Sequence, residues 1–150
     1  MINFDLITKT VFVGSYPQST LDIDRLRDGP RITAVVNLQS DPDMKSLRID
    51  WAKLEEHYTR RDMTVHRYPI RDFDPDDLSR HIRAAAARVG ELEKVGHRIY
   101  VHCTAGVGRA PAVVIGHLTW NLDWDLIEAY EFVRDRRTCD PYLDAIRDAE

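Results

Sequence analysis

The chain is poor in cysteine and in lysine. Only Cys103 and Cys139 occur in 150 residues, too few for a disulfide scaffold. Free thiols fit a reducing compartment, and cytoplasm is the location this implies. Lysine supplies four of the 21 basic residues and arginine the other seventeen. At a net charge of −4 the chain has no excess of positive charge for a nucleic-acid or anionic-membrane surface. No apolar run approaches the roughly 20 residues of a membrane helix. The start, MINFDLITKTVFVG, has no basic region ahead of an apolar core, so no signal peptide is expected. G-x-x-x-x-G-K-[ST] is missing, and GVGR lacks dinucleotide spacing. Metal-ligand spacing is missing too: His102 and Cys103 adjoin, and Cys139 lies far along the chain. No metal, cofactor, nucleic-acid partner or membrane partner is expected, and the sequence leaves the oligomeric state open.

What remains is an ordinary globular composition, 43% apolar, of a length that suits one domain over residues 1–150. TVFVGS (10–15), ITAVVNL (32–38), TVHRYPI (64–70) and RIYVHC (98–103) read as strands. The nearly unbroken apolar run in the second is expected where both sheet faces are covered. Ser19 and Asp22 have the spacing of a capping box ahead of a short helix. A helix carrying Trp51, Leu54 and Tyr58 follows the polar stretch QSDPDMKS. The clearest helix places Leu78, Ile82, Ala85, Val89 and Leu92 on one face and ends at Gly96. Pro111 suits the first turn of another helix, Asp123 the cap of a third, and Asp140-Pro141 the start of a last short one. Strands alternating with helices predict an α/β fold: a mostly parallel sheet of four to five strands flanked by helices.

The stretch HCTAGVGRAP (102–111) carries the chemistry. A buried strand hands the chain to a glycine-bearing loop, which feeds a helix N-terminus with unpaired N–H groups. Thr104, Ala105, Gly106, Val107 and Gly108 supply successive amides that form a nest for tetrahedral oxygens. Gly106 and Gly108 permit the backbone conformations, and Arg109 closes the cup with a forked donor pair. At its floor, Cys103 is placed where amides, helix terminus and guanidinium all favour a thiolate, which can attack phosphorus. His102 either orders the loop through its ring or is a packed neighbour. Expelling the leaving group needs a general acid, and RDFDPDDLS (71–79) offers Asp72, Asp74, Asp76 and Asp77. Asp76 and Asp77 suit a helix cap and Asp74 suits the turn before Pro75. Asp72 directly follows a strand, at the sheet edge where functional loops gather.

HCTAGVGR resembles the H-C-x5-R signature of cysteine-dependent tyrosine phosphatases, and the separate aspartate loop resembles their dual-specificity branch. The resemblance implies Cys103 as nucleophile, Arg109 as phosphate clamp and Asp72 as general acid. A narrower likeness runs through VGSYPQS, NLQSDPDM, IRDFDPDDL, HCTAGVGRAPAVV and RRTCDPYLDAIRDA, which look like plant and algal laforin-like glucan phosphatases. It implies hydrolysis of phosphate monoesters through a cysteinyl-phosphate, with phosphorylated starch or glycogen-type glucan as substrate and Phe73 against a sugar ring. The alternatives are a phosphoprotein, a phosphoinositide, or a phosphate-binding module without turnover. Three positions depart from the pattern: Ser46 and Leu47 stand where the plant enzymes carry an aromatic pair, and Asn37 where some carry a redox cysteine. Ala110 follows the arginine where many relatives place a hydroxyl.

Overall fold

Three short apolar runs form the centre of the sheet. The computed structural model describes all residues, 1–150. Strands β1 (Phe4–Leu6), β2 (Val11–Gly14), β3 (Ala34–Asn37), β4 (Thr64–Arg67) and β5 (Ile99–His102) form one sheet in the order β1-β2-β5-β3-β4. β1 is antiparallel to β2, and the remaining pairings are parallel. β2, β3 and β5 are buried along their whole length. Side chains alternate between the faces. Val11, Val13, Ala34, Val36, Ile99 and Val101 join one core cluster, while Phe12, Val35 and Tyr100 join another. Both faces are covered, which is why the runs read as continuous rather than alternating.

The first face packs against α4 (Pro75–Lys94), α5 (Arg109–Gly116), α6 (Leu126–Arg136) and α7 (Leu143–Asp148). A π-helical turn, His117–Asn121, continues α5. The second face packs against α1 (Thr20–Asp28) and α3 (Trp51–Arg60). Short α2 (Asp41–Ser46) follows β3.

Several boundaries differ from those expected. β1 and α2 were not anticipated; β1 has only three residues and shows little period-2 signal. α2 starts in the polar stretch as a true capping box: Ser40 Oγ accepts from Asp43 N–H, and Asp43 accepts from Ser40 N–H. The Ser19 side chain makes no cap, because Asp22 instead accepts from Gln18 N–H and pairs with Arg25. Asp125, not Asp123, caps α6. Asp140 and Pro141 precede α7 instead of opening it.

The register places the site. Gly14, Asn37 and His102 lie at one level across the three central strands. Ser15, Leu38 and Cys103 therefore leave the sheet along the same carboxyl edge, where parallel sheets gather their loops. Gly14 is needed there for space, since a Cβ would collide with the Asn3 carbonyl oxygen and the Tyr100 hydroxyl. That hydroxyl donates to the Ser15 carbonyl.

Candidate active site

The loop between β5 and α5 is a bowl whose carbonyls all face outward. Cys103 O accepts from His102 Nδ1 at 2.9 Å, and Thr104 O accepts from Tyr16 N–H at 3.0 Å. Ala105 O and Gly106 O accept from the Arg137 guanidinium at 3.1 and 2.7 Å. Val107 O accepts from Asp140 N–H at 2.8 Å and Gly108 O from Ala112 N–H at 3.2 Å. None of the N–H groups from Thr104 to Arg109 donates to another part of the protein. A planar peptide with its carbonyl turned out presents the next N–H on the opposite side. Consecutive free amides at a helix N-terminus form an anion nest.

Gly106 sits at φ +71°, and a Cβ there would meet the backbone of Gly14 at 2.5 Å. Only glycine satisfies both the conformation and the space.

Arg109 opens α5 and is 2% exposed. Its Nη1 donates to Asp43 Oδ2 at 2.6 Å and to the Ile70 carbonyl at 2.8 Å. Nη2 lies 3.4 Å from Thr104 Oγ1 and 3.2 Å from Asp72 Oδ2. Nε is buried with no partner. One side of the fork is anchored while Nε remains a buried donor that an anion can satisfy. Burial works against the Asp43 charge, but hydrogen bonds from Arg109 and Ser40 outweigh it and hold its carboxyl below the ordinary carboxylate range. Asp43 thus keeps Arg109 oriented as well as capping α2.

The pocket above the loop has a volume of about 410 Å³. Cys103, Ala105, Val107, Gly108 and Arg109 line it from the bowl, Asp72 and Phe73 from the loop before α4, and Asp140, Pro141 and Tyr142 from the segment before α7. Of the loop residues singled out in the sequence, His102, Thr104 and Gly106 are not in its walls; they shape the loop from outside. The His102 ring stacks on Tyr100 and is fully buried, and burial lowers its pKa to about 4. Its Nδ1–H donates to the Cys103 carbonyl, so the neutral ring orders the loop. Thr104 Oγ1 accepts from Gln39 Nε2 at 3.1 Å and faces Arg109. Ala110 is buried without a hydroxyl.

The four aspartates divide their work. Asp74 is the N-cap of α4, accepting from Asp77 N–H at 3.0 Å. Asp77 accepts from Arg71 N–H at 2.8 Å, and exposed Asp76 lies in the first turn. Only Asp72 lines the pocket with Cys103. Phe73 beside it is 85% exposed, at φ +57°.

Asp43, Gln39, Arg137, Asp140 and Tyr142 were not found from sequence. The spacing of Ser40 and Asp43 was a visible capping signal. Nothing local distinguishes Arg137 among seventeen arginines. Cys139 is half-buried, and burial raises its thiol pKa.

A strand-end cysteine, an amide bowl and a buried arginine define a cysteine-based phosphatase site. Residues 11–141 match the dual specificity phosphatase catalytic domain, and the chain belongs to that family and is a cysteine-dependent phosphatase domain. It is 36% identical over 99% of its length to phosphoglucan phosphatase DSP4, amyloplastic, from Castanea sativa, covering 40% of that protein. It is 32% identical over 97% of its length to phosphoglucan phosphatase LSF1, chloroplastic, from Arabidopsis thaliana, covering 24% of it. The chain thus spans less than half of each of these relatives. Among solved structures, the active form of Tk-PTP superposes with a TM-score of 0.79 at 22% identity, covering 98% of this chain and 95% of that one. The cytoplasmic location drawn from the free thiols is overturned by these relatives, which are amyloplastic and chloroplastic by name. A reduced thiol reports redox conditions and does not distinguish one reducing compartment from another. No helix is long and apolar enough to cross a membrane.

Proposed function

We propose that this chain removes phosphate from phosphorylated glucan, with Cys103 as nucleophile, Arg109 as clamp and Asp72 as general acid. The phosphate dianion places its non-bridging oxygens among the amides of residues 104–109 and the free side of Arg109. The Cys103 thiolate attacks phosphorus, the bond to the leaving oxygen breaks, and Asp72 delivers a proton to that oxygen. Asp72 then takes a proton from water, whose oxygen attacks the cysteinyl-phosphate. Inorganic phosphate and the thiolate are released. In this reading the incoming dianion replaces the Asp72 contact with Arg109 and leaves the carboxyl for the leaving group.

The observation that carries the glucan reading is the pocket mouth. Phe73, Val107, Pro141 and Tyr142 give it an apolar and aromatic lining, Asp72 and Asp140 add negative charge, and Arg109 is its one cation. Aromatic faces stack on sugars without an ionic partner. A polyanionic inositol headgroup calls for more cations than this. Ser46 and Leu47, the positions that lack the plant enzymes' pair, are not among the residues that line this pocket, whereas Tyr142 supplies an aromatic wall. The relatives named as phosphoglucan phosphatases support the same substrate class.

The test compares phosphate release from solubilised phosphorylated amylopectin with release from phosphopeptides, using Cys103→Ser as the inactive control. Amylopectin is the expected preferred substrate, and Phe73→Ala lowers its rate several-fold more than the rate on an aryl phosphate. Faster release from phosphopeptides, with none from amylopectin, moves the assignment to a phosphoprotein phosphatase.

A further inference from the structure

We propose that Arg137 is a positioning residue for the phosphatase reaction, fixing from behind the peptide orientation that points the loop amides at phosphate. The inference rests on reading the Cys103–Gly108 loop as the phosphate cradle. Arg137 stands where α6 ends and the backbone turns extended, at φ −143° and ψ 134°. It is 6% exposed. Its Nε donates to Gly106 O at 2.7 Å and its Nη2 to Ala105 O at 3.1 Å. The rest of the guanidinium is held by the N-terminal segment: Nη2 donates to Asn3 Oδ1, just before β1, at 2.7 Å, and Nη1 to Asp5 Oδ2 in β1 at 2.9 Å.

The two carbonyls it grips are consecutive. Locking Ala105 O outward turns the Gly106 N–H inward, and locking Gly106 O does the same for Val107 N–H. The other loop carbonyls are held by main-chain N–H groups or by the adjacent His102 ring. Only these two depend on a side chain more than thirty residues away. They also flank Gly106, the loop residue with the greatest freedom to turn its peptides over. A planar fork with donors in fixed directions can hold two neighbouring carbonyls at once, which a single ammonium on a flexible stem cannot do with the same geometry. Its positive charge behind the bowl also favours an anion within it. Arg137 is not among the residues that line the pocket, so it acts through the loop and not on the substrate.

The experiment measures kcat, KM, pH–rate profiles and inhibition by inorganic phosphate for the full chain with Arg137→Ala and Arg137→Lys, on an activated aryl phosphate and on a poor-leaving-group alkyl phosphate. Alkylation of Cys103 counts folded, competent sites, so rates are expressed per site. Arg137→Ala is expected to lower kcat by at least about 10-fold on both substrates. It also weakens inhibition by inorganic phosphate and moves the acid limb of kcat/KM to higher pH. Equal loss on both leaving groups separates this role from that of the general acid. Arg137→Lys is expected to recover thermal stability while its kcat stays several-fold below that of the unsubstituted chain, and it carries the test if the alanine variant does not fold. Unchanged per-site kcat and pH profile in either variant, with Cys103→Ser inactive, overturns the inference and leaves the cradle reading in place. Undiminished activity in Cys103→Ser overturns both.

Discussion

The two loops that meet over Cys103 are built in opposite ways. From Cys103 to Gly108 every carbonyl has a partner outside the bowl. The segment Arg71–Asp74 is anchored mainly at its ends, by Asp77 on the Arg71 N–H and by the Asp74 cap. Between them Phe73 is exposed, and the Asp72 carboxylate has its neighbour's N–H and Arg109 as its polar partners. Both loops contain a positive φ, at Gly106 and at Phe73, but with different surroundings. Gly106 is pressed against Gly14, whereas Phe73 projects into open space. The contrast matches two chemical tasks. Stabilising charge in the transition state requires dipoles already in place. Giving a proton to one oxygen and later taking one from water requires a carboxyl that can be repositioned.

The harshest way to break this comparison is Gly106→Ala. The added methyl meets backbone at 2.5 Å, so the bowl must deform, and turnover is expected to fall by about 100-fold or more on every substrate. Retention of near-normal kcat would show that the loop is not held as tightly as its hydrogen bonds indicate.

The next effect is on the other loop. Asp72→Ala should cost about 100-fold with a poor leaving group and much less with an activated aryl phosphate. Asp74→Ala should leave both rates near normal while lowering stability by about 1 kcal/mol through loss of the α4 cap. Steady-state kinetics and thermal melts on the two variants check this, and exchange of the two patterns would transfer the acid role to Asp74.

The smallest effect concerns pH. His102 has its pKa lowered by burial to about 4, against an ordinary value near 6.5. The unfolded chain therefore takes up this proton first as pH falls. The stability is fully present above about pH 6.5 and is lost progressively down to about pH 4. Between pH 7.5 and pH 5 the loss is about 2 kcal/mol. Asp43, held below the ordinary carboxylate range, loses its contribution only in stronger acid. Denaturant titrations across this range should give a flatter profile for His102→Gln. Identical slopes would remove His102 as the cause.

Much of the fold was readable because its signals are local. Period-2 burial on two covered faces left unbroken apolar runs in β3 and β5, and period-3.6 spacing marked α4 from Leu78 to Leu92. The strand-loop-helix around HCTAGVGR was readable for the same reason, since Cys103, the loop amides and Arg109 are neighbours in the chain. Asp72 could be narrowed to one loop but not separated from Asp74 by spacing alone. The cap at Asp74 and the pocket position of Asp72 depend on how the turn before α4 closes.

By itself, then, the sequence determined a mostly parallel α/β sheet and a cysteine-arginine loop fit to hold phosphate, because backbone preference and periodicity act over a few residues. Tertiary structure alone decided which distant groups complete that loop. Asp43 on α2 aims Arg109, Arg137 after α6 turns the loop carbonyls outward, and Asp140 and Tyr142 form the far wall of the pocket. These partners meet only when separate chain segments converge at the carboxyl edge of the sheet, and no pattern along the chain encodes that convergence.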